Sequence, residues 1–443
     1  MQTPKNTVRI CFSKILSLCY SLQSRLSSGA KAGGMPAPFK DFEPVLRFAA
    51  CSDIHISGKE STPEEYHPEE ERLGKLIRFM YDYSASQRYK GFDALCVAGD
   101  MTDGGRDFEY DAFNKVIEEN LRDETKLLIC TGNHEYIAYR DKDASQGARM
   151  FEKKIQPHQD THAVLNGYHF ILCSYSEDGR TFKDKLPWLD SEIRSAVTQS
   201  GERPVFVFQH PAPQWTVYGS VAWGDRDILG VLKKYPSVIN FSGHSHYPVN
   251  DPRSISQNKY TALGCGTLSY YETDLDGFAG NFPYEIKQAA QFYIVEADMH
   301  GNLRILPYDL ITDRFFDNSY YLSALSSGNF EYSFAKMKKR DPKPVFPGDT
   351  VISASAGENG ETLITFTGAK DRFCAESYKV SLFSGPIPVK SFSFSGKYMY
   401  LFEEDKYDVN LGSLKPGKKY TAYIRAMNAY AKTSEEIKYR FTV

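Results

Sequence analysis

Lys126-Leu127-Leu128-Ile129-Cys130 is an apolar run that breaks off into Thr131-Gly132-Asn133-His134-Glu135. Short continuous apolar runs suit strands covered on both faces, and the carboxyl ends of such strands are where an α/β sheet gathers ligands and chemistry. The pattern recurs along the chain. Residues 45–51 run into Ser52-Asp53-Ile54-His55, and 94–98 into Gly99-Asp100-Met101-Thr102-Asp103. Residues 204–208 lead to Gln209-His210, and 238–241 to Gly243-His244-Ser245-His246. Five strand ends meeting at one edge would build a single polar site.

Between these runs the apolar period becomes helical. Leu73, Leu76, Ile77 and Met80 share one face, and Phe113, Val116, Ile117 and Leu121 another. Trp188, Leu189 and Ile193 mark a third helix, and Ile228, Leu229 and Leu232 a fourth. Strands alternating with helices predict a layered α/β domain over residues 41–337. Residues 338–344, Lys-Lys-Arg-Asp-Pro-Lys-Pro, have the charge and proline of a linker. Beyond it, β-type runs at 362–367, 378–383, 398–402 and 420–426 predict a small all-β sandwich over 345–443.

Composition sets outer bounds. The 443 residues are 41% hydrophobic and 25% charged, an ordinary globular chain with room for two or three domains. A formal net charge of −3 offers no basic surface for nucleic acid. No stretch approaches a transmembrane span. Cys51, Cys96, Cys130 and Cys173 lie in or at the end of strand-like runs, as small apolar residues do. No C-x-x-C pair occurs to suggest a thiolate zinc site or a redox motif, and unpaired cysteines in strands lean towards a reducing, cytoplasmic setting, with secretion or a cell surface as the alternative. Residues 1–40 read as a leader or a disordered N-terminus: serines interrupt the apolar run at 15–22, and Met35 is a second candidate start.

The residue types in the five motifs point to one chemistry. Hydrolysing a phosphate ester means bringing a nucleophile to an anion and stabilising charge on the attacking and leaving oxygens. Two divalent ions about 3.5–4 Å apart do this and make hydroxide available near neutral pH. A shared carboxylate can hold two cations that close, and imidazole with hard oxygen ligands suits Mn, Fe or Zn better than Mg. Five of the ten histidines fall inside the motifs, more than a structural role predicts.

In order and spacing, Asp53-x-His55, Gly99-Asp100, Gly132-Asn133-His134-Glu135, His210 and Gly243-His244-x-His246 resemble the calcineurin-like metallophosphoesterases, over roughly Arg47 to Leu310. The resemblance implies two mixed sheets packed as a β-sandwich flanked by helices (αββα), where periodicity gave only layered α/β. It implies a dinuclear metal-dependent phosphoric ester hydrolase, a phosphodiesterase or phosphatase, that cleaves a phosphate mono- or diester with a hydroxide activated by two divalent ions. By the same resemblance, Asp53, His55 and His246 hold the first metal. Asn133, His210 and His244 hold the second, and Asp100 bridges them. His134 stands beside the substrate phosphate as proton donor or charge stabiliser, with Glu135 its orienting partner.

Taken singly, these residues have plainer uses. Asp53 and Asp100 suit helix N-caps, Asn133 a turn, and His210 a core position before Pro211. Thr102, Asp103 and Arg106 are candidates to line the pocket, with a loop role the preferred reading. Trp215, Tyr218, Tyr270 and Tyr271 are candidate pocket walls, against an equally good reading as ordinary packing. Two departures narrow the subclass. Purple acid phosphatases carry Tyr three residues after the bridging Asp, where this chain has Asp103, so no iron–phenolate chromophore is expected. Family nucleotidases usually have Gly where Ile56 follows Asp-x-His. A rival from another class is a catalytically silent binding protein that acts through its C-terminal domain.

Leu414-Lys415-Pro416-Gly417 ahead of Tyr420 resembles the fibronectin type III pattern, an Ig-like sandwich in which this turn precedes a strand opened by a corner tyrosine. The resemblance implies a Tyr420 hydroxyl bonded back to the turn, although the early Trp of such domains is missing near 362–367. The module is expected to flank the catalytic domain or to dock a polymer or cell surface. The expected substrate partner is a phosphorylated small molecule or a phosphodiester.

Overall fold

The computed structural model describes residues 33–58, 68–283, 285, 287–401 and 406–443. The apolar run at 15–22, His67 and Phe402 lie outside them. The chain divides into two compact units, Gly34–Glu272 with Glu285–Phe334, and Thr273–Tyr284 with Ala335–Val443.

The first unit holds β1 (Pro44–Cys51), β2 (Ala94–Ala98), β3 (Lys126–Cys130), β4 (Thr161–Leu165), β5 (Tyr168–Leu172), β6 (Val205–Pro211), β7 (Val238–Gly243), β8 (Ile255–Gln257) and β9 (Thr261–Gly264). After the hairpin β10 (Thr273–Leu275) and β11 (Phe278–Asn281) of the other unit come β12 (Gln291–Asp298), β13 (Leu303–Asp309), β14 (Arg314–Phe315) and β15 (Tyr320–Leu322). They make two mixed sheets, ordered β14-β13-β12-β1-β2-β3, with β15 on β13, and β4-β5-β6-β7-β9-β8. Strands β1 to β3 are mutually parallel, as are β5, β6, β7 and β9.

Alternation along β1 explains why the sheets stack. Phe48 enters the space between them and meets Phe170, Phe206 and Phe241 at ring distances of 5.1, 4.9 and 5.9 Å. Ala49 and Cys51 face the other way, against Leu73, Ile77 and Met80 of α1 (Glu69–Ser86), Phe113 of α2 (Asp107–Asn120) and Phe151 of α3 (Ser145–Lys154). On the second sheet Ile171, Val205 and Val207 pack with Leu189 and Ile193 of α4 (Leu186–Ser200) and with Leu232 of α6 (Leu229–Leu232), which follows the single turn α5 (Ser220–Trp223). The fold is therefore helix, sheet, sheet, helix. Periodicity could not separate this from one layered sheet, because a strand covered by a helix on one side and a sheet on the other reads as apolar throughout. No helix among the described residues is long and apolar enough to cross a membrane.

The second unit is all-β apart from α7 (Phe334–Arg340). Besides the β10–β11 hairpin, its strands are β16 (Ile352–Ala356), β17 (Thr362–Thr367), β18 (Ala375–Ser384), β19 (Ile387–Ser395), β20 (Lys406–Asn410), β21 (Lys419–Asn428) and β22 (Ile437–Thr442). Two antiparallel sheets result, β16-β17-β20 and β19-β18-β21-β22, and they fit an Ig-like or fibronectin type III domain. The Lys415 N–H donates to the Tyr420 hydroxyl at 3.0 Å, the corner bond the turn motif implies. In the core Phe366, Tyr378 and Tyr407 pack ring on ring at 4.5–5.4 Å, large aromatics in a domain without tryptophan. Two local expectations do not hold. Residues 397–400 form a turn closed by the Tyr400 N–H on the Lys397 carbonyl at 2.9 Å, and the strand lies earlier, as β19. Lys338, Lys339 and Arg340, read as linker, finish α7, where positive charge suits the carbonyl end of a helix.

Candidate metal centre

Four of the five motifs follow strands and His210 sits near the end of β6; after β1, β2 and β7 the backbone leaves the strand under strain. Asp53, His55, Asp100, His244 and His246 have φ between +49° and +72°, a left-handed conformation that costs a non-glycine residue on the order of 1 kcal/mol or more. Such bends turn successive side chains onto one point. The motif glycines leave room for that convergence. A Cβ on Gly132 would overlap Asp100 Oδ1, and one on Gly243 would overlap Ser52 Oγ and Asp53 Oδ2. One on Gly99, at φ +84°, would stand 2.7 Å from His210 Nδ1.

The side chains converge accordingly. Asp53 Oδ1 lies 3.1 Å from His246 Nε2 and 3.8 Å from both His55 Nε2 and His210 Nε2. Asp100 Oδ2 lies 2.9 Å from His210 Nε2, 3.9 Å from His55 Nε2 and 4.0 Å from His134 Nε2. Asp53, His55 and His246 form one compact donor group, and Asp100, His210 and His244 another. The far ring nitrogens fix the rings: His210 Nδ1 is 2.8 Å from the Ala98 carbonyl and His246 Nδ1 is 3.1 Å from that of Tyr270. With those protons committed, the Nε2 lone pairs point inward, the usual arrangement of a metal-binding histidine.

Two tests of fit agree with a divalent metal centre. Asn133 Oδ1 is buried without a hydrogen-bond partner, a costly state that a cation would relieve. The charges also ask for one. Burial works against a charged His210, yet the carboxylates of Asp100 and Asp53 hold its pKa up to about 9. His244, by burial and by the charge on His210, is pushed down to about 3. Buried carboxylates drawing positive charge onto neighbouring rings is a demand that a metal meets while leaving the imidazoles neutral.

A family model of the calcineurin-like phosphoesterases matches residues 46–248. Those residues form a calcineurin-like phosphoesterase domain. Among solved structures, the chain is similar to a purple acid phosphatase from yellow lupin (Lupinus luteus) seeds, at 15% identity and TM-score 0.45, over 65% of this chain and 55% of that one. It is also similar to PhoD, at 9% identity and TM-score 0.40, over 66% of this chain and 72% of that one. The chain thus spans little more than half the length of the lupin enzyme that it matches. No curated protein matches it. The family match and the Asp and His donor groups together suit a divalent metal centre.

Other residues of the phosphoesterase domain differ from expectation. Glu135 does not orient His134. Its buried carboxylate accepts the N–H groups of Asp100, Thr102 and Gly132 at 3.0, 3.0 and 2.6 Å and the Thr102 hydroxyl at 2.9 Å, bracing two motif loops together. Asp103 takes the orienting place instead. His134 Nδ1 is 2.7 Å from its carbonyl and 3.6 Å from its carboxylate, which also lies 3.4 Å from His55 Nδ1. A second acid three residues after Asp100 was the available signal. Arg106 serves the start of α2, its guanidinium on Glu109 at 2.7 Å. Tyr218 and Tyr271 are buried packing. Tyr270 leans against His246 at 4.1 Å, and Trp223, which no sequence pattern marked, meets His244 at 5.9 Å.

Proposed function

We propose that the phosphoesterase domain hydrolyses a phosphate mono- or diester, with Asp53, His55 and His246 holding one divalent ion, Asn133, His210 and His244 a second, and Asp100 shared between them. When bound, two such ions would make water acidic enough to attack near neutral pH and would neutralise charge on the attacking and leaving oxygens. The mixed imidazole and carboxylate donors suit Mn, Fe or Zn. The observation that carries the reading is Asp100 Oδ2, within 4.0 Å of imidazoles from three separate strand ends. His134 is the residue for proton work. Its Nδ1 is engaged by the Asp103 carbonyl, so Nε2 faces the Asp100 carboxylate and can give a proton to the leaving oxygen or hold the phosphate's charge.

Metal analysis beside kinetics tests this. Asp100→Asn should lose bound metal and activity together. His134→Ala should keep its metal while kcat falls by roughly 10²–10⁴-fold. Full activity of Asp100→Asn after exhaustive chelation would sink the assignment, as would an inert Mn-loaded wild type on a panel of phosphomonoesters, phosphodiesters and nucleotides.

A further inference from the structure

The loop that follows His210 is braced from within. The Gln214 N–H donates to the Asp225 carbonyl at 2.8 Å, and the Asp225 N–H to that of Ala212 at 2.8 Å. Arg226 Nε donates to Gln214 Oε1 at 2.6 Å, and Gln214 Nε2 to the Val221 carbonyl at 3.1 Å. Yet this ordered loop presents two of the chain's three tryptophans to solvent, Trp215 at 46% exposure and Trp223 at 38%. Trp215 is also held at φ +64°, an outlier for a bulky side chain. Large exposed aromatics on a well-tied loop are unexplained by folding, since burial would favour the opposite.

Their position supplies an explanation. The Trp223 ring stands edge-on to His244, 5.9 Å away and at 87°. On the side of the other donor group, half-buried Tyr270 lies 4.1 Å from His246 and 5.8 Å from His55. His134, with 23% of its side chain exposed, opens the same cluster to solvent. Two aromatic rings therefore border the histidines proposed to hold the ions that would face the phosphate. We propose that Trp223 and Tyr270 receive the leaving group, and that the substrate is a phosphoester whose alcohol carries a planar ring, an aryl group or a nucleobase. The proposal rests on the phosphoesterase reading. Stacking on an aromatic face accepts any flat π-system, which is why one chemistry has two sources.

Steady-state kinetics of the Mn-loaded protein on 4-nitrophenyl phosphate, AMP and glycerol 3-phosphate test it. Trp223→Ala should raise KM for the two ring-bearing esters by roughly 5–100-fold, with kcat falling less. Glycerol 3-phosphate, which has no ring, should keep its KM within about twofold. Trp223→Phe should recover most of the loss, metal content should match the wild type throughout, and Tyr270→Leu should repeat the pattern if Trp223→Ala does not fold. The larger shift, AMP or the aryl ester, identifies the source. Equal KM shifts on all three esters, or none on any, overturn the inference and leave the phosphoesterase reading standing. A wild type that turns over none of them, nor the diester bis(4-nitrophenyl) phosphate, overturns both.

Discussion

Around Asp100, five non-glycine residues adopt left-handed backbone conformations, and Asn133 Oδ1 is buried without a hydrogen-bond partner. In the C-terminal sandwich, β21 alternates strictly, Tyr420, Ala422, Ile424 and Ala426 going into the core, and the Tyr420 hydroxyl has its donor in Lys415. Both regions are β-rich and well packed, so packing alone does not create the contrast. Strain and unmet lone pairs gather where several charged side chains must meet, and stability elsewhere carries their cost.

The contrast breaks most sharply at Gly132. A methyl group there is about the smallest change available, but it would collide with Asp100 Oδ1 and press on the backbone N of Asp100 at 2.5 Å. Gly132→Ala should lower activity by at least about 100-fold, the effect of misplacing a catalytic group by an ångström, and should weaken metal retention. Far-UV circular dichroism should remain that of the wild type. Wild-type metal content and kcat in this variant would show that the close approach of the two loops is incidental.

A smaller effect is expected one shell outward. Asp103 forms a third compact donor group with His55 and His134, apart from the two groups that hold Asp53 and Asp100. Asp103→Asn keeps the carbonyl that holds His134 Nδ1 while removing the carboxylate's charge. Turnover should fall by roughly 10–100-fold with metal content preserved, the usual cost of losing a partner behind a working histidine. If metal content falls in step with activity, Asp103 belongs to the donor set.

Legibility followed the same contrast. The seven proposed ligands could be named because each stands two to five residues beyond an apolar run, and the glycines beside them mark where backbones must touch. The second sheet was hidden, since β6 and β7 are buried on both faces and look alike in any layered arrangement. Glu135 was misjudged for a geometric reason. It adjoins His134 on the single 3-10 turn 134–136, and neighbours on a helical turn face different ways, so it reaches back to the motif loops. Trp223 gave no signal because its place depends on the 212–226 loop closing on itself, a contact that no local period encodes. In the sandwich, the strand wrongly placed at 398–402 was suggested by aromatic composition alone.

The smallest predicted effect lies where the structure is most regular. Tyr420→Phe removes one hydroxyl that accepts the Lys415 N–H at 3.0 Å and leaves the ring stacked on Phe441 at 5.8 Å. The ring continues to fill its volume, so the loss is a hydrogen bond rather than a cavity. An N–H that can turn to water costs about 1 kcal/mol when its partner goes. Chemical denaturation should show the sandwich's transition at slightly lower denaturant, with the same slope because the surface exposed on unfolding is unchanged. Phosphoester turnover and metal content should match the wild type. A loss of turnover here would mean that catalysis depends on the corner of the sandwich, and the separation between a strained site and a relaxed scaffold would have to be abandoned.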